Sequence, residues 1–322
     1  MKNRLCETLG IRYPVIQGAM AWCSNYEIVA AVSNAGGLGV LGVGFAPAET
    51  IREQILKTKE CTDKPFAANI FMIPALLEVN HPIFMETRPP VVYVDILANL
   101  DVEMAKKYFS MWQDAGMKVV FKASFISDAC KAQEAGADVI IIKGWEGGGH
   151  VTDESTMVLV PQAAELIHVP LVASGGICDG RGMAAGIVLG AQGCEMGSAF
   201  LLAEENNIHP AFKQKIIETG DMQTTITGLS TGEPSRMITN TLSEMIIRTE
   251  AENYRKDAAA IVAKMSAGSL RRGAATGEME EGAVMIGQIV PLLREIRTAK
   301  EIIESTVNEC EAILSKQMSL CL

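Results

Sequence analysis

Eight short apolar runs recur along this chain at similar intervals, and that recurrence restricts the fold more than any other feature. The runs are 14–17, 38–41, 65–70, 91–94, 118–121, 138–142, 170–173 and 193–196. They are nearly continuous in apolar character, as expected of parallel strands covered on both faces. A spacing of roughly 20 to 30 residues leaves room for one helix in each gap. Helical stretches at 27–35 and 127–135 fill two gaps and end at Gly36-Gly37 and Gly136, where a helix C-terminus favours left-handed backbone. Eight such units predict an α/β fold, a (β/α)8 TIM barrel in preference to an open doubly wound sheet.

The alternation stops after Phe200. Residues 1–203 are assigned to the barrel. Residues 204–267 are polar and helical in pattern, with 224–227 as a short extended piece, and are assigned to a small inserted helical lid or substrate lobe. The apolar stretch 283–303 predicts a helix returning to the barrel, within a C-terminal helical segment 268–322. With 322 residues and a formal net charge of -10, the chain lacks the basic footprint of a nucleic-acid binder. Lys213, Lys215, Arg236, Arg271 and Arg272 read as solvated surface charges. Cys6, Cys23, Cys61, Cys130, Cys178, Cys194, Cys310 and Cys321 show no C-x-x-C spacing, which fits a reducing cytoplasm and argues against zinc or a redox dithiol. His81, His168 and His209 show no ligand spacing either, so no metal is expected. The chain has no signal-type apolar region at its start and no run of about 18 apolar residues, so a soluble, unexported protein without a membrane partner is expected.

The stretch Lys143-Gly144-Trp145-Glu146-Gly147-Gly148-Gly149-His150 follows the sixth run. Consecutive glycines let backbone lie flat against a planar or phosphorylated ligand, since no Cβ blocks the approach. His150 would then stand at the ligand's reactive face. The octapeptide also suits a mobile surface turn with an incidental histidine. Two later strand ends favour the ligand: Ser174-Gly175-Gly176 after the seventh run and Gly197-Ser198 after the eighth. Backbone N–H groups and a hydroxyl at successive strand ends suit an anion, and this part of a β/α barrel commonly binds phosphate. Gly175, Gly176, Gly197 and Ser198 are therefore candidate phosphate ligands, and His150 the candidate acid/base.

Together these motifs resemble the FMN-dependent nitronate monooxygenase/enoyl-acyl-carrier-protein reductase II superfamily over essentially the whole chain. The resemblance is carried by Gln17-Gly18-Ala19-Met20-Ala21-Trp22, Asn34-Ala35-Gly36-Gly37-Leu38-Gly39, Asp63-Lys64-Pro65-Phe66 with Asn69, Glu146-Gly147-Gly148-Gly149-His150, Ala173-Ser174-Gly175-Gly176-Ile177, Asp179-Gly180-Arg181-Gly182 and Met196-Gly197-Ser198. Gly268-Ser269-Leu270-Arg271-Arg272-Gly273 and Met285-Ile286-Gly287-Gln288 are more similar to the enoyl reductase branch. The resemblance implies a barrel that binds FMN, a small lid, hydride supply from NADH or NADPH, and a homodimer. It implies Ala19 and Met20 beside the isoalloxazine, Asn69 hydrogen-bonding the ring system, and Gly148 and Gly149 backing it. Gly175, Gly176, Gly197 and Ser198 would hold the FMN phosphate. His150 corresponds to the catalytic histidine that gives or takes a substrate proton while the flavin handles electrons.

Three positions depart from the family pattern. Tyr93-Val94-Asp95-Ile96-Leu97-Ala98-Asn99 stands where a Gly-rich or Ala-Gly-Asn-Pro turn is usual, placing an acid and larger side chains on the expected substrate side. Ala199 stands where an arginine is usual, which removes a cation from the phosphate site. Lys122 is the residue type of the nitronate monooxygenase/quinone reductase branch, where an ammonium at a strand's C-terminal end would favour reduced anionic flavin. Its alternative is a structural ion pair, with Asp95 as a candidate partner. The leading expectation is NAD(P)H-dependent reduction of an enoyl thioester, either a small molecule or carried on acyl carrier protein. The alternatives are nitronate monooxygenase or quinone reductase chemistry and, from another class, a nonenzymatic barrel that binds a phosphorylated metabolite.

Overall fold

The computed structural model describes residues 3–320; Cys321 lies outside the described residues. The eight apolar runs are strands: β1 Val15–Gln17, β2 Gly39–Leu41, β3 Phe66–Phe71, β4 Val91–Asp95, β5 Lys118–Ala123, β6 Val139–Lys143, β7 Leu171–Ser174 and β8 Gly193–Met196. All pair in parallel, in the order β1-β8-β7-β6-β5-β4-β3-β2. The two ends of that order also meet: Ile16 bridges Leu38, and the Gln17 N–H donates to the Leu38 carbonyl at 2.9 Å. This closes the expected (β/α)8 barrel.

Period-two alternation sorts the strand side chains. Ile16, Val40, Ala67, Val91, Tyr93, Val120, Val139, Ile141 and Val172 belong to one inner cluster, joined by Leu5, Cys6 and Leu9 of the N-terminal helix Arg4–Leu9. Phe66, Ile70, Val92, Val94, Phe121, Ile140, Ile142 and Met196 belong to the outer layer beneath the helices. Truncating a fully buried ring such as Phe121 to alanine is expected to cost about 3–5 kcal/mol. Continuing the same alternation toward the strands' C-terminal ends brings Asn69, Asp95, Lys122, Lys143, Ser174 and Glu195 to the inner face. The pattern that builds the core thus also delivers a polar layer at the end where barrels carry their sites.

Helices Tyr26–Asn34 and Ile126–Glu134 stop where the glycines indicate, with Gly36 and Gly136 both at φ 99. The C-terminal helix Ala299–Leu320 packs against helix Gly180–Val188, where a Cβ on Gly180 would come within 2.5 Å of the Cys310 backbone nitrogen. The Gly180 N–H also donates to Glu309 at 2.8 Å.

Two sequence expectations need correction. Residues 283–303 do not form a helix: Val290–Leu292 is a single 3-10 turn and the long helix begins at Ala299. Gly287 and Pro291 interrupt the segment, and its apolar side chains Val284, Ile286, Val290 and Leu293 are buried from irregular backbone. The segment expected to form a mainly helical lid carries more strand than the extended piece expected at 224–227. Helices Pro210–Glu218, Thr241–Glu252 and Arg255–Ser266 accompany a small sheet, in which Thr224–Thr227 pairs antiparallel with Ser235–Ile238. The second of these strands pairs in turn with Gly149–His150, placing Ser235 opposite His150 and Arg236 opposite Gly149. The glycine-rich loop of the barrel is therefore an edge strand of the lid. No helix among the described residues is long and apolar enough to cross a membrane.

Candidate active site

The inner polar layer is a cluster of charges. Glu195 is buried and accepts from Ser174 Oγ at 2.8 Å on Oε1 and from the Tyr93 hydroxyl on Oε2, while Lys122 Nζ lies 3.4 Å from Oε1. Lys122 also sits 5.7 Å from the centre of the Tyr93 ring. Beside it, Asp95 accepts from Asn69 Nδ2 at 2.7 Å, and Asn69 Oδ1 accepts from the Gly44 N–H. Burial pushes the Asp95 carboxyl above its usual range, against the pull of Lys122. Burial also pulls on Lys122, but the charges of Glu195 and Asp95 outweigh it and hold its ammonium above the ordinary lysine value. Lys143 has no such neighbour at contact distance. Burial, reinforced by the nearby Lys122 charge, takes it down to about 7. The ion-pair partner of Lys122 is thus Glu195, with Asp95 contributing its field.

Lys143 reaches into the glycine loop. Its ammonium donates to the carbonyls of Gly148 at 2.7 Å and His150 at 2.6 Å. On the far side, a Cβ at Gly148 would lie 2.5 Å from the Ile286 carbonyl carbon, so only glycine fits this close approach. Glu146 accepts from the Thr156 N–H at 3.0 Å and its hydroxyl at 2.8 Å, tying the loop to helix Thr156–Leu166. Arg236 donates to the Trp145 carbonyl at 3.3 Å and lies 5.0 Å from the indole centre. The loop is therefore built in on several sides, unlike a mobile turn. His150 at its end is 47% exposed and lies 3.9 Å from Glu233. Loss of solvent to the surrounding walls pulls its pKa below the ordinary value; Lys143 adds to this and Glu233 opposes it. The shift favours the neutral imidazole, which has one nitrogen free to accept a proton.

A cavity of about 860 Å³ opens above this layer. Ala19, Met20, Asn69, Lys122, Gly148, Gly149, His150, Gly175, Gly176, Gly197 and Ser198 all line it, so the structure brings together every residue singled out from sequence. Gly175 and Gly176 have φ of 96 and 70, a region where a side chain is strained, and a Cβ at Gly175 would sit 2.9 Å from the Gly144 carbonyl oxygen. Ser198 Oγ accepts from the Gly287 N–H at 3.0 Å, which leaves its own O–H to donate. A wall of bare backbone, a hydroxyl donor and a charged floor fit a planar, phosphate-bearing group such as FMN. Phe45 and Phe71, ring centres 4.1 Å apart, with Leu97, Phe125 and Met285, form an apolar patch on the remaining wall, which also carries Asp153, Glu154 and Glu233.

Sequence reading missed Tyr93, Lys143, Ser174 and Glu195 as members of the site, although all four lay inside quoted stretches. Strand periodicity was the available signal, since each falls on the inward phase. The expectation of solvated cations also fails at two positions. Arg236 is buried against Trp145, and Lys213 is buried while donating to the Ala203 carbonyl at 2.6 Å. His81 accepts from the Trp112 indole at 3.0 Å and His209 caps helix Pro210–Glu218, both structural tasks. Among the described residues no group of His, Cys, Asp and Glu is placed to hold a metal.

With the site described, likeness to known proteins becomes informative. The profile of the nitronate monooxygenase family matches residues 2–82 and 83–309. FabK from Thermotoga maritima superposes with a TM-score of 0.92 at 34% identity, covering 99% of both chains. A probable nitronate monooxygenase of Staphylococcus saprophyticus is 32% identical over 281 residues, 74% of this chain and 79% of that protein. A (3aS,4S,5R,7aS)-5-hydroxy-7a-methyl-1-oxo-octahydro-1H-indene-4-carboxyl-CoA dehydrogenase of Rhodococcus jostii is 29% identical over 341 residues, 95% of each.

Proposed function

This chain belongs to the nitronate monooxygenase family and is an oxidoreductase, and on that premise we propose that it uses FMN and NADH or NADPH to reduce an activated C=C bond, most simply that of an enoyl thioester. The observation that carries this reading is the pairing of His150 with a glycine-walled cavity that also presents an aromatic and aliphatic patch of Phe45, Phe71, Leu97, Phe125 and Met285, suited to an acyl chain. The likeness to FabK, an enoyl-ACP reductase II, supports it. FMN would supply the electron store, taking a hydride from the nicotinamide and passing it on to the substrate.

The protein's own residues would divide the remaining work. Gly175, Gly176, Gly197 and Ser198 hold the phosphate, while Ala19, Met20, Gly148 and Gly149 flank the ring. Asn69 can offer the ring its second N–H, since its oxygen accepts from Gly44 and its first N–H is given to Asp95. Lys122 presents a fixed positive charge from the floor, partly neutralised by Glu195. His150 delivers a proton beside the thioester carbonyl once protonated, which makes the reduction faster as pH falls toward the depressed His150 pKa.

The shift of His150 toward its neutral form favours a second reading, in which the imidazole acts as a base. Abstraction of a proton next to a nitro group, or from a hydroxyl undergoing oxidation, needs that form. The two readings separate by experiment. The purified holoprotein is reduced anaerobically with NADH or NADPH and reoxidised with crotonyl thioester, quinone or O₂, and the oxidised holoprotein is separately turned over with a nitronate as electron donor and O₂ as acceptor. Rapid reoxidation by the thioester, rising at lower pH, supports the reductase; turnover confined to nitronate or quinone rejects it. The reductase reading takes the substrate free or on acyl carrier protein, and the protein as a cytoplasmic homodimer; light scattering tests the dimer.

A further inference from the structure

Trp22 has an unusual place in the molecule. Its backbone is left-handed, φ 65, a region that bulky side chains rarely adopt, yet the side chain is 58% exposed and gains little burial in return. The turn that imposes this conformation is rigid. Cys23 and Ser24 both donate their N–H groups to the Met20 carbonyl, at 3.0 and 2.9 Å, and Ser24 Oγ accepts from Met20 N–H at 3.0 Å and from Gln17 Nε2 at 2.9 Å. The flanking Ala21 and Cys23 line the cavity, so Trp22 stands at its rim.

Across from it is the lid residue Arg271, whose guanidinium lies 5.9 Å from the indole centre. Its neighbour Leu270 lines the same cavity. Arg272, by contrast, is consumed by the lid, donating to the carbonyls of Ala267 at 3.0 Å and Glu281 at 3.2 Å. Among the described residues Arg271 has no carboxylate partner. In a chain of net charge -10 an exposed guanidinium that meets an indole and no carboxylate at the mouth of a cavity is suited to an anion. Strained backbone that displays a side chain instead of burying it is a mark of a functional surface.

We propose that Trp22 and Arg271 form a docking site for the adenosine-phosphate end of a nucleotide ligand, whose reactive end enters the flavin cavity. The purine stacks on the indole, and the planar guanidinium takes phosphate oxygens in a two-pronged contact. Because one residue belongs to the barrel and the other to the lid, the ligand spans the two and holds the lid over the cavity. This rests on the functional reading above, which supplies two ligands with such an end: the nicotinamide dinucleotide and a coenzyme A thioester.

The test is calorimetric titration of the holoprotein with ADP as the common probe, then with 2′-phospho-ADP-ribose and with adenosine 3′,5′-bisphosphate to separate the dinucleotide from the coenzyme A end. Tryptophan emission gives a second readout, since Trp112 is fully buried and Trp145 lies under Arg236. Trp22→Leu is expected to weaken the preferred probe by about 5- to 100-fold, from the usual worth of one base–aromatic stack, with Trp22→Phe recovering much of it. Arg271→Gln is expected to weaken binding and flatten its salt dependence. Absence of binding by the wild type at millimolar probe, or wild-type affinity in both Trp22→Leu and Arg271→Gln, overturns the site. Flavin content and anaerobic reduction at saturating NADH or NADPH are measured in parallel. A protein that holds and reduces flavin but ignores these substitutions refutes the docking site alone; one without flavin refutes the functional reading, whatever the nucleotides do.

Discussion

Lys143→Met should change how the stability of this protein depends on pH. Burial holds the Lys143 ammonium at about 7 instead of 10.5. Between those values the unfolded chain carries a proton that the folded chain has released, so stability rises as pH rises through the window. Below pH 7 both states are protonated and the full cost of burying the charge is present. At about 1.4 kcal/mol per pH unit, moving from pH 7 to pH 9 stabilises the wild type by at most about 3 kcal/mol through this group. The carbonyls of Gly148 and His150 favour the ammonium and reduce the figure. Lys143→Met removes the window altogether. It also strips those two carbonyls of a donor, at about 1–3 kcal/mol each if they stay dry, so the absolute stability at one pH is a poor readout and the change between two pH values is the useful one. Urea unfolding of flavin-free wild type and variant at pH 7 and pH 9 gives it. The wild type should gain up to about 3 kcal/mol more than the variant on going to pH 9. Parallel pH profiles would show that Lys143 keeps an ordinary pKa, and that the inner layer is wetter or better paired than its geometry indicates.

Three other substitutions probe the site. His150→Ala should slow turnover with the electron acceptor by about 10²- to 10⁴-fold while flavin reduction by the nicotinamide is less affected; equal losses in both half-reactions, followed by stopped flow, would make His150 a shaper of the pocket instead of an acid/base. Gly175→Asp should weaken FMN binding, because its φ is 96, its Cβ would meet the Gly144 carbonyl at 2.9 Å, and it brings a carboxylate toward the phosphate; unchanged affinity in a folded variant, read by flavin fluorescence, removes Gly175 from the phosphate site. Lys122→Met should lower the flavin reduction potential and also destabilise the fold, since Glu195 loses its cation; an unchanged potential with full FMN occupancy would leave Lys122 a purely structural role.

The barrel was legible because its strands carry nearly unbroken apolar sequence, and Val139 to Ile142 can hardly be anything but a covered strand. The glycine positions of the site were legible for a related reason: only glycine tolerates the backbone at Gly148 and Gly175, so the residue type itself reports the geometry. The lid sheet was not. Gly149–His150 is two residues long and acquires strand pairing solely from Ser235–Ile238, a contact across more than 80 positions that no local pattern encodes. The helix expected at 283–303 failed because apolar content was read as helical phase, when the residues are buried from irregular chain broken by Gly287 and Pro291.

The same distinction explains why Lys143 and Glu195 went unseen while their neighbours Lys122 and Asp95 were named from sequence. Lys143 and Glu195 are unremarkable in isolation, and Asp95 and Lys143 end strands whose other residues are apolar. They become a site only when the closed barrel turns four separate strand ends inward. Lys122 and Glu195 form one neutral pair, so the electrostatic balance beneath a bound flavin is decided by the other two. Burial pushes the Asp95 carboxyl up and takes Lys143 down to about 7, so Lys143 is the group that can change charge with a modest change in surroundings. Charge arriving above them would shift both: an anionic reduced flavin favours protonated Lys143, and a protonated Lys143 grips the Gly148 and His150 carbonyls more firmly. Reduction should therefore tighten the His150 loop by way of Lys143, and hydrogen exchange at 147–151 should slow on reduction in the wild type and lose that response in Lys143→Met. A loop equally protected in both redox states would mean that the floor fixes the loop once, at folding, and takes no part in the cycle.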